Sequence, residues 1–278
     1  MKKYLVIGNP IGHSLSPLIH NYWIKKYCLI DSIYEKRKIE EKDLENIIKE
    51  IREDEIVGVN VTVPFKKLVI PFLDKLDLSA EETQSVNTLF KINNKIVGYN
   101  TDRNGFWDTI KNFYPTTKDS RKPPPLEGKH IFILGAGGVT SSVISALKSG
   151  GANNIILSNR TKEKANQLKK LFPELEVLDW GKRPSLCDIV INTTSIGLTK
   201  NEEIKVDFSD YDKNFHKNFL FYDLIYNPKE TVFLKKARLR GNKTMNGKMM
   251  FLNQAKYAFN IWTNIMPEID DEVIKLLD

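Results

Sequence analysis

Two charged residues stand at the ends of predicted strands in the N-terminal part of the sequence. Lys66 ends the run NVTVPFK, and Asp102 ends the run GYNTD. The carboxyl ends of parallel strands meet at one edge of a sheet, where ligands bind. There a lysine can transfer a proton, while a carboxylate holds the lysine and a hydroxyl in line. Either charge alone would be an ordinary surface group, but the combination at two strand ends indicates a ligand-binding site.

Two serines flank the predicted start of the first helix. Ser14 and Ser16 lie in the run GNPIGHSLSP, and their hydroxyls, with nearby N–H groups, could hold a carboxylate. We expect Ser16 to be the helix N-cap, with Pro17 at the first helical position. Capping alone would explain Ser16 but not Ser14.

A glycine-rich turn follows a buried-type strand in the middle of the sequence. The run IFIL leads into GAGG and a predicted helix over Val139–Lys148. Gly135 allows the tight turn, and Gly137 lets the backbone approach a pyrophosphate that the helix start attracts. This is the context that a dinucleotide-binding turn requires. The match is partial, because Thr140 stands where a third glycine or an alanine is usual, and a purely structural turn is the alternative.

Cationic residues after the next strand indicate which dinucleotide binds. An NAD enzyme usually has an acid there, which binds the ribose 2′-hydroxyl. This sequence has Arg160, with Lys164 one helical turn later. An arginine can bond to a 2′-phosphate and stack on it, so we expect NADP rather than NAD. The alternative is a solvated arginine near a helix start.

The elements that must position these residues alternate between strand and helix. Strands are predicted at 4–8, 32–39, 56–63, 86–92, 95–100, 131–134, 154–159, 175–180, 187–192 and 219–226. Helices are predicted at 16–28, 41–52, 102–113, 139–148, 161–171, 247–266 and 268–277. Apolar strands alternating with helices are typical of a parallel sheet, and Asn93-Asn94 suits a hairpin turn. The polar, proline-rich run at 115–128 predicts a linker.

Composition excludes several classes of protein. The sequence has 278 residues, 41% of them hydrophobic and 28% charged, which suits one large or two modest folded domains. No apolar run reaches the length of a membrane span, and the first residues are typical of a strand rather than a signal peptide. The net charge is +7, but the lysines are scattered, which argues against nucleic-acid binding. The histidines have no metal-binding spacing, and we expect Cys28 and Cys187 to be buried free thiols in a reducing cytoplasm.

The motifs together resemble those of the shikimate dehydrogenase family over nearly the whole sequence. The matching segments, in the family's order, are GNPIGHSLSP, NVTVPFK, SVNT at 85–88, GYNTD, GAGG, NRT, NTTSIG at 192–197, DLIYNP at 223–228 and Gly247–Gln254. The resemblance implies an α/β fold of two α/β domains flanking a cleft, the second a Rossmann-type doubly wound parallel sheet. It implies a substrate-binding and catalytic domain at 1–104, completed by C-terminal helices at 246–278. A helix and the proline-rich linker would fill 105–128, and the NADP-binding domain 129–245.

The resemblance also implies an activity and a set of site residues. The activity is the reversible NADPH-dependent reduction of 3-dehydroshikimate to shikimate, a step toward chorismate and the aromatic amino acids. The implied catalytic residues are Lys66 and Asp102. The implied substrate contacts are Ser14, Ser16, Thr62, Lys66, Asn87, Asp102, Tyr226 and Gln254. The implied cofactor contacts are Gly135, Ala136, Gly137, Gly138, Val139, Asn159, Arg160, Thr161, Lys164, Leu224 and Met249. No metal and no membrane or nucleic-acid partner is implied, and we expect a monomer or a homodimer.

Three positions depart from the family pattern. Met249 replaces a usual glycine near the nicotinamide, Asn246 replaces a frequent aspartate, and Ser141 replaces a common basic residue. The linker also looks long. None of these differences removes a catalytic group.

Three other functions remain open. The first is a quinate/shikimate dehydrogenase of broader substrate or cofactor use, since Arg160 argues against NAD but does not exclude quinate. The second is a non-catalytic sensor of shikimate-type ligands, against which the retention of both Lys66 and Asp102 argues. The third is an enzyme like methylenetetrahydrofolate dehydrogenase, although nothing in the sequence suggests a pterin site.

Overall fold

The chain divides into two compact units, each built on a six-stranded sheet. A computed structural model describes residues 1–115, 123–199, 201–211 and 219–278. The first unit combines Met1–Phe106 with Leu252–Asp278, and the second is Trp107–Phe251. Residues 116–122 of the predicted linker lie outside the described residues.

The strands and helices are as follows. The strands are β1 (Lys2–Gly8), β2 (Ser32–Lys38), β3 (Gly58–Val61), β4 (Lys75–Leu76), β5 (Thr88–Ile92), β6 (Lys95–Tyr99), β7 (His130–Leu134), β8 (Asn154–Ser158), β9 (Glu176–Leu178), β10 (Ile189–Asn192), β11 (Leu220–Asp223) and β12 (Lys243–Met245). The helices are α1 (Ser16–Lys26), α2 (Leu44–Arg52), α3 (Leu78–Thr83), α4 (Thr101–Ile110), α5 (Thr140–Ser149), α6 (Lys162–Leu171), α7 (Val232–Leu239), α8 (Lys248–Thr263) and α9 (Asp271–Lys275).

The first unit has a mixed sheet in the order β2-β1-β3-β5-β6-β4. Strand β1 pairs in parallel with β2 and β3, whereas β5 is antiparallel to both β3 and β6. Because β5 is antiparallel to both neighbours, β3 and β6 run in the same direction and end at the same edge of the sheet. The predicted turn between β5 and β6 is confirmed, because Asn93 and Asn94 have φ of 48° and 60°.

Helix α2 shows how the sequence builds the core of this unit. Leu44, Ile47, Ile48 and Ile51 recur at the spacing of one helix face, and all are buried in one cluster with strand residues such as Leu89. Burying each such side chain contributes roughly 1.5–3 kcal/mol. The predicted helix at 41–52 differs at its start, where Glu41–Asp43 form a 3-10 turn.

The C-terminal segment packs directly on the sheet of the first unit. The indole of Trp262 lies over Gly58, where an added Cβ would be 2.5 Å from Trp262 Cδ1. Trp262 Nε1 donates to Leu89 O at 3.0 Å, and Trp23 Nε1 donates to Glu268 O at 3.2 Å. Residues distant in sequence therefore complete this unit.

The second unit has a wholly parallel sheet in the order β12-β11-β10-β7-β8-β9. Read from β9, this is the order of a doubly wound dinucleotide-binding fold, and that prediction is confirmed. The order reverses between β7 and β10, which is where such folds bind ligands. Helix α7 and strand β12 were not predicted from the sequence.

Two local predictions are wrong. The residue before α1 is Leu15, with no side-chain cap, so Ser16 is the first helical residue rather than the N-cap. Cys28 is exposed just after α1, with φ of 52°, while Cys187 is buried; both are free thiols.

Within the described ranges, no helix is both long and apolar enough to cross a membrane.

Candidate active site

Lys66 and Asp102 are brought together in the first unit. Lys66 Nζ lies 2.5 Å from Asp102 Oδ2, and the side chains are only 12% and 9% exposed. Lys66 lies in the turns after β3, where its carbonyl accepts a hydrogen bond from Val86 N at 2.8 Å. Asp102 lies in the first turn of α4, and Asn100 Oδ1 just before it accepts from Arg103 N at 3.2 Å. An ion pair is thus held at the edge where β3 and β6 end.

Asn87 occupies the other side of the aspartate. Its Oδ1 accepts from Thr101 N at 2.8 Å, so its Nδ2 must be the end that faces Asp102 Oδ1, at 3.0 Å. The same Nδ2 lies 3.5 Å from Gln254 Oε1. Each oxygen of the carboxylate therefore has its own donor, which fixes the plane of the group.

Thr62 and the start of the GNPIGHSLSP segment approach each other closely. A Cβ on Gly8 would be 2.5 Å from Thr62 Cγ2, so only glycine fits beside this threonine. Asn9 N also donates to Val63 O at 3.0 Å. The two loops that follow β1 and β3 are thereby joined.

Ser14 and Ser16 lie at the start of α1, and neither is the N-cap residue of that helix. Ser14 is half-buried, and its Oγ accepts a long hydrogen bond of 3.4 Å from Ser16 N. Ser16 is buried and is already the first residue of α1, which has Leu15 at the N-cap position. Ser16 does not cap the helix because the helix begins one residue earlier than expected.

Several buried polar residues of this site were not singled out by the sequence patterns. Asn60 Nδ2 donates to Asn87 O and to Thr88 Oγ1, both at 3.1 Å. Thr101 Oγ1 accepts from Asn87 Nδ2 at 2.9 Å. Asn60 could have been identified from the sequence, because it is a polar residue inside the apolar strand pattern IVGVNVTV. Tyr34 could not, because no local pattern marks it.

The glycine turn of the second unit follows β7 at the reversal of strand order. Gly135 has φ of +108°, and a Cβ there would be 2.7 Å from Thr193 Oγ1. A Cβ on Gly137 would meet only Thr193 O, at 3.8 Å, so the backbone there is open to a ligand. Thr140 Oγ1 lies 2.9 Å from Thr193 Oγ1 and donates to Gly135 O at 3.2 Å. A threonine is thus accommodated at the third position of the fingerprint because its side chain turns inward.

The segment after β8 is tied to this turn and carries free cations. Asn159 Oδ1 accepts from Ala136 N at 3.0 Å, and its Nδ2 donates to Thr161 O at 2.7 Å. Arg160 and Lys164 are exposed, and neither has a hydrogen-bond or ion-pair partner for its side chain in the described part of the chain. A 2′-phosphate would supply the missing anion.

Other features also fit a dinucleotide. The hydroxyl of Ser141, in the first turn of α5, is buried without a partner among the described residues. The backbone of Gly247 packs on the Leu224 carbonyl so closely that any side chain would overlap it. Leu224 is half-buried, as is Met249, two residues after Gly247.

Two ionisable groups lie at or just after the end of β11: Asp223 is buried and Tyr226 is half-buried. The ring of Tyr226 stacks on Phe251 at 4.5 Å, and burial raises its pKa to about 12, so the phenol is protonated at neutral pH. Burial raises the pKa of Asp223 to about 6, although its carboxylate accepts from Thr231 Oγ1 at 2.6 Å and from Asn192 Nδ2 at 3.0 Å. Among the residues that the structure describes, no cluster of three metal-ligating side chains is present.

The comparisons agree with these features. Residues 6–89 match the family model of the shikimate dehydrogenase substrate binding domain, and residues 118–230 match that of shikimate / quinate 5-dehydrogenase. The shikimate dehydrogenase (NADP(+)) of Pelagibacter ubique is 50% identical over 277 residues, which cover 100% of this chain and 99% of the relative. The crystal structure of shikimate dehydrogenase from Aquifex aeolicus is 36% identical, with a TM-score of 0.85 and coverage of 100% and 97%. That of shikimate 5-dehydrogenase from Thermus thermophilus, in complex with NADP(H) and shikimate, is 27% identical, with a TM-score of 0.83 and coverage of 100% and 98%.

Proposed function

This chain belongs to the shikimate dehydrogenase family, and on that premise we propose that it catalyses the reversible NADPH-dependent reduction of 3-dehydroshikimate to shikimate. The reaction is a step of aromatic amino acid biosynthesis. The observation that carries the proposal is the buried pair of Lys66 and Asp102, 2.5 Å apart, with Asn87 on the second carboxylate oxygen.

The proposed chemistry centres on Lys66. As a ketone is reduced, negative charge grows on its oxygen, and a charged ammonium group beside it stabilises that charge and donates a proton. Asp102 orients the ammonium group and accepts a hydrogen bond from a substrate hydroxyl. In the reverse direction, Lys66 accepts the proton of the shikimate hydroxyl. Bound NADPH supplies the hydride.

The remaining polar residues would bind the substrate. Ser14 and Ser16 would hold the carboxylate, since their hydroxyls lie at the start of α1, where N–H groups also favour an anion. The ring hydroxyls would be contacted by four residues. These are Thr62, Asn87, Gln254 and Tyr226, whose phenol is protonated and can donate.

The second unit would bind NADP. The open backbone of the glycine turn, from Gly135 to Val139, would receive the pyrophosphate at the start of α5. Arg160 and Lys164 would bind the 2′-phosphate, next to Asn159 and Thr161. Leu224 and Met249 would line the nicotinamide part of the site. Accordingly, we propose that the first unit is the substrate domain and the second the cofactor domain.

Initial rates with shikimate or quinate, each with NADP or NAD, test the proposal. We expect the highest kcat/KM for shikimate with NADP. Comparable efficiency with quinate would instead identify the broader quinate/shikimate enzyme, and shikimate binding without turnover would identify a sensor. No activity and no binding with either acid would contradict the proposal.

We also propose that the protein functions in the cytoplasm. Two free thiols support a reducing cytoplasm as the compartment. We expect a monomer or a homodimer, which light scattering on the purified protein distinguishes.

A further inference from the structure

Helix α1 holds Tyr34, on the edge strand β2, at three points. The backbone N–H of Tyr34 donates to Asn21 Oδ1 at 2.9 Å, and its carbonyl accepts from Asn21 Nδ2 at 2.8 Å. Its ring is stacked on His20, with centroids 4.2 Å apart and planes 6° apart. One helix therefore fixes the backbone and the ring face of this residue.

The surroundings of Tyr34 leave its side chain no freedom to move. Tyr34 is 2% exposed, and His20, Trp262 and the other rings around it are also buried. Burial lowers the pKa of His20 to about 3, and neither of its ring nitrogens has a hydrogen-bond partner in the described part of the chain. His20 thus acts through the face of its neutral ring, which packs against the tyrosine.

The Tyr34 hydroxyl is the first donor in a buried hydrogen-bonded chain. It donates to Asn60 Oδ1 at 2.7 Å. The direction is fixed because Asn60 Nδ2 donates to the backbone carbonyl of Asn87, so the other end of the amide must face the phenol. The single phenolic proton is therefore used by Asn60.

The chain continues from Asn60 to the ion pair. Asn60 Nδ2 also donates to Thr88 Oγ1 at 3.1 Å, and Thr88 Oγ1 donates to Asn87 Oδ1 at 3.0 Å. Asn87 Nδ2 in turn donates to Asp102 Oδ1, whose other oxygen faces Lys66. In order, the linked residues are Tyr34, Asn60, Thr88, Asn87, Asp102 and Lys66. All lie in the first unit, and the chain ends at the proposed proton donor.

We propose that Tyr34 is a positioning residue for the reaction, which holds Asn87, Asp102 and Lys66 in place through Asn60 and Thr88. The inference rests on the proposed function. Without the phenolic hydroxyl, Asn60 Oδ1 has no hydrogen-bond donor among the described residues. The Asn87–Asp102–Lys66 arrangement then loses part of its fixed geometry, although no group that touches the substrate has been removed.

Tyr4 offers a matched control for a merely structural role. It lies directly opposite Tyr34 in the register of β1 and β2, is 4% exposed and contacts the same Trp262 ring. Within the described residues its hydroxyl makes no hydrogen bond to the chain that leads to Asp102. Tyr4→Phe therefore removes a phenolic hydroxyl from the same aromatic cluster without touching that chain.

The test compares Tyr34→Phe and Tyr4→Phe with the wild type in full-length protein. Loss of one buried hydrogen bond of this kind corresponds to about a five- to tenfold effect, so we expect kcat/KM for shikimate to fall by that factor in Tyr34→Phe. The KM for NADP should stay within about twofold of wild type, because nothing in the second unit changes. Tyr4→Phe should leave the shikimate parameters unchanged at a similar melting temperature.

A second variant keeps the test decisive if Tyr34→Phe fails to fold. Thr88→Val is nearly isosteric and breaks the same chain between Asn60 and Asn87, and it should lower kcat/KM for shikimate in the same way. If the wild type turns over shikimate and both variants match Tyr4→Phe, the positioning role is refuted while the function stands. If the wild type does not turn over shikimate, the proposed function fails and the positioning role fails with it.

Discussion

Asn87 Nδ2 donates to Asp102 Oδ1 at 3.0 Å, on the carboxylate oxygen that Lys66 does not occupy. The carboxylate is therefore clamped from two sides before any ligand binds. A rigid carboxylate fixes the position of the lysine ammonium group in turn. Loss of the proton donor from such an arrangement should lower the rate of the reaction much more than it weakens binding of the substrate.

Replacement of Lys66 should affect turnover more than binding. General acid–base catalysis contributes about 10²–10⁴-fold, so Lys66→Ala should lose at least about a hundredfold in kcat. Lys66→Arg should not restore the rate, because an arginine does not release its proton at working pH. The measurement is kcat in both directions, with calorimetry to show that shikimate still binds. If Lys66→Ala retains more than about half of the wild-type kcat, the proton comes from another group, such as Tyr226 or water.

Arg160→Ala should weaken NADP selectively. Removing a charge-assisted bond to phosphate corresponds to about a ten- to hundredfold rise in the KM for NADP, with little change in that for NAD. Lys162→Ala is the matched control, since Lys162 lies in the same segment but is already paired with Asp179 at 2.6 Å. Equal efficiency of the wild type with both cofactors, or equal effects of the two variants, would refute the role of Arg160.

Ser14→Ala should weaken shikimate binding without weakening the fold. Ser14 Oγ accepts only a hydrogen bond of 3.4 Å, which contributes little to stability. We expect the KM for shikimate to rise about tenfold and the melting temperature to stay near that of the wild type. A sharp fall in melting temperature with an unchanged KM would show that the residue is structural.

His20 should make the first unit sensitive to acid. Because burial lowers its pKa to about 3, the unfolded chain binds a proton below pH 6.5 that the native protein does not bind. As the pH is lowered from 6.5 to about 3, the free energy of unfolding should therefore fall by about 1.4 kcal/mol for each pH unit. His20→Phe should remove this dependence and gain about 2 kcal/mol relative to wild type at pH 5.

The measurement for His20 is urea unfolding at pH 7.5 and pH 5. Tryptophan fluorescence reports on unfolding, and two of the four tryptophans, Trp23 and Trp262, contact the ring of His20. His130→Gln changes an exposed histidine and serves as the control. Identical pH dependence in wild type and His20→Phe would mean that the native protein binds the proton after all.

Local sequence patterns predicted much of the molecule, because the features concerned are themselves local. The glycine turn after β7, the Asn93-Asn94 turn and the parallel alternation of the second unit each depend on a few consecutive residues. The paired Lys66 and Asp102 followed from one rule about strand ends. Such features need no knowledge of distant contacts.

The rest depended on contacts between residues far apart in sequence. Ser16 was expected to cap α1, but it is itself the first helical residue, because the helix begins one residue earlier than expected. The partner of Tyr34 is Asn60, 26 positions away, and no periodicity links the two. Strand β12 has only three residues and pairs only with β11, so its pattern is too short to detect.

The discontinuous first unit has a consequence for the order of events during synthesis on the ribosome. The contacts of Trp262 with Gly58 and Leu89 cannot form until residues 252–278 have left the exit tunnel. Trp107–Phe251 is continuous and contains every strand of its own sheet, so it can fold while the N-terminal segment still lacks its final helices. During that interval the apolar surface that Trp262 will cover remains exposed on the nascent N-terminal segment.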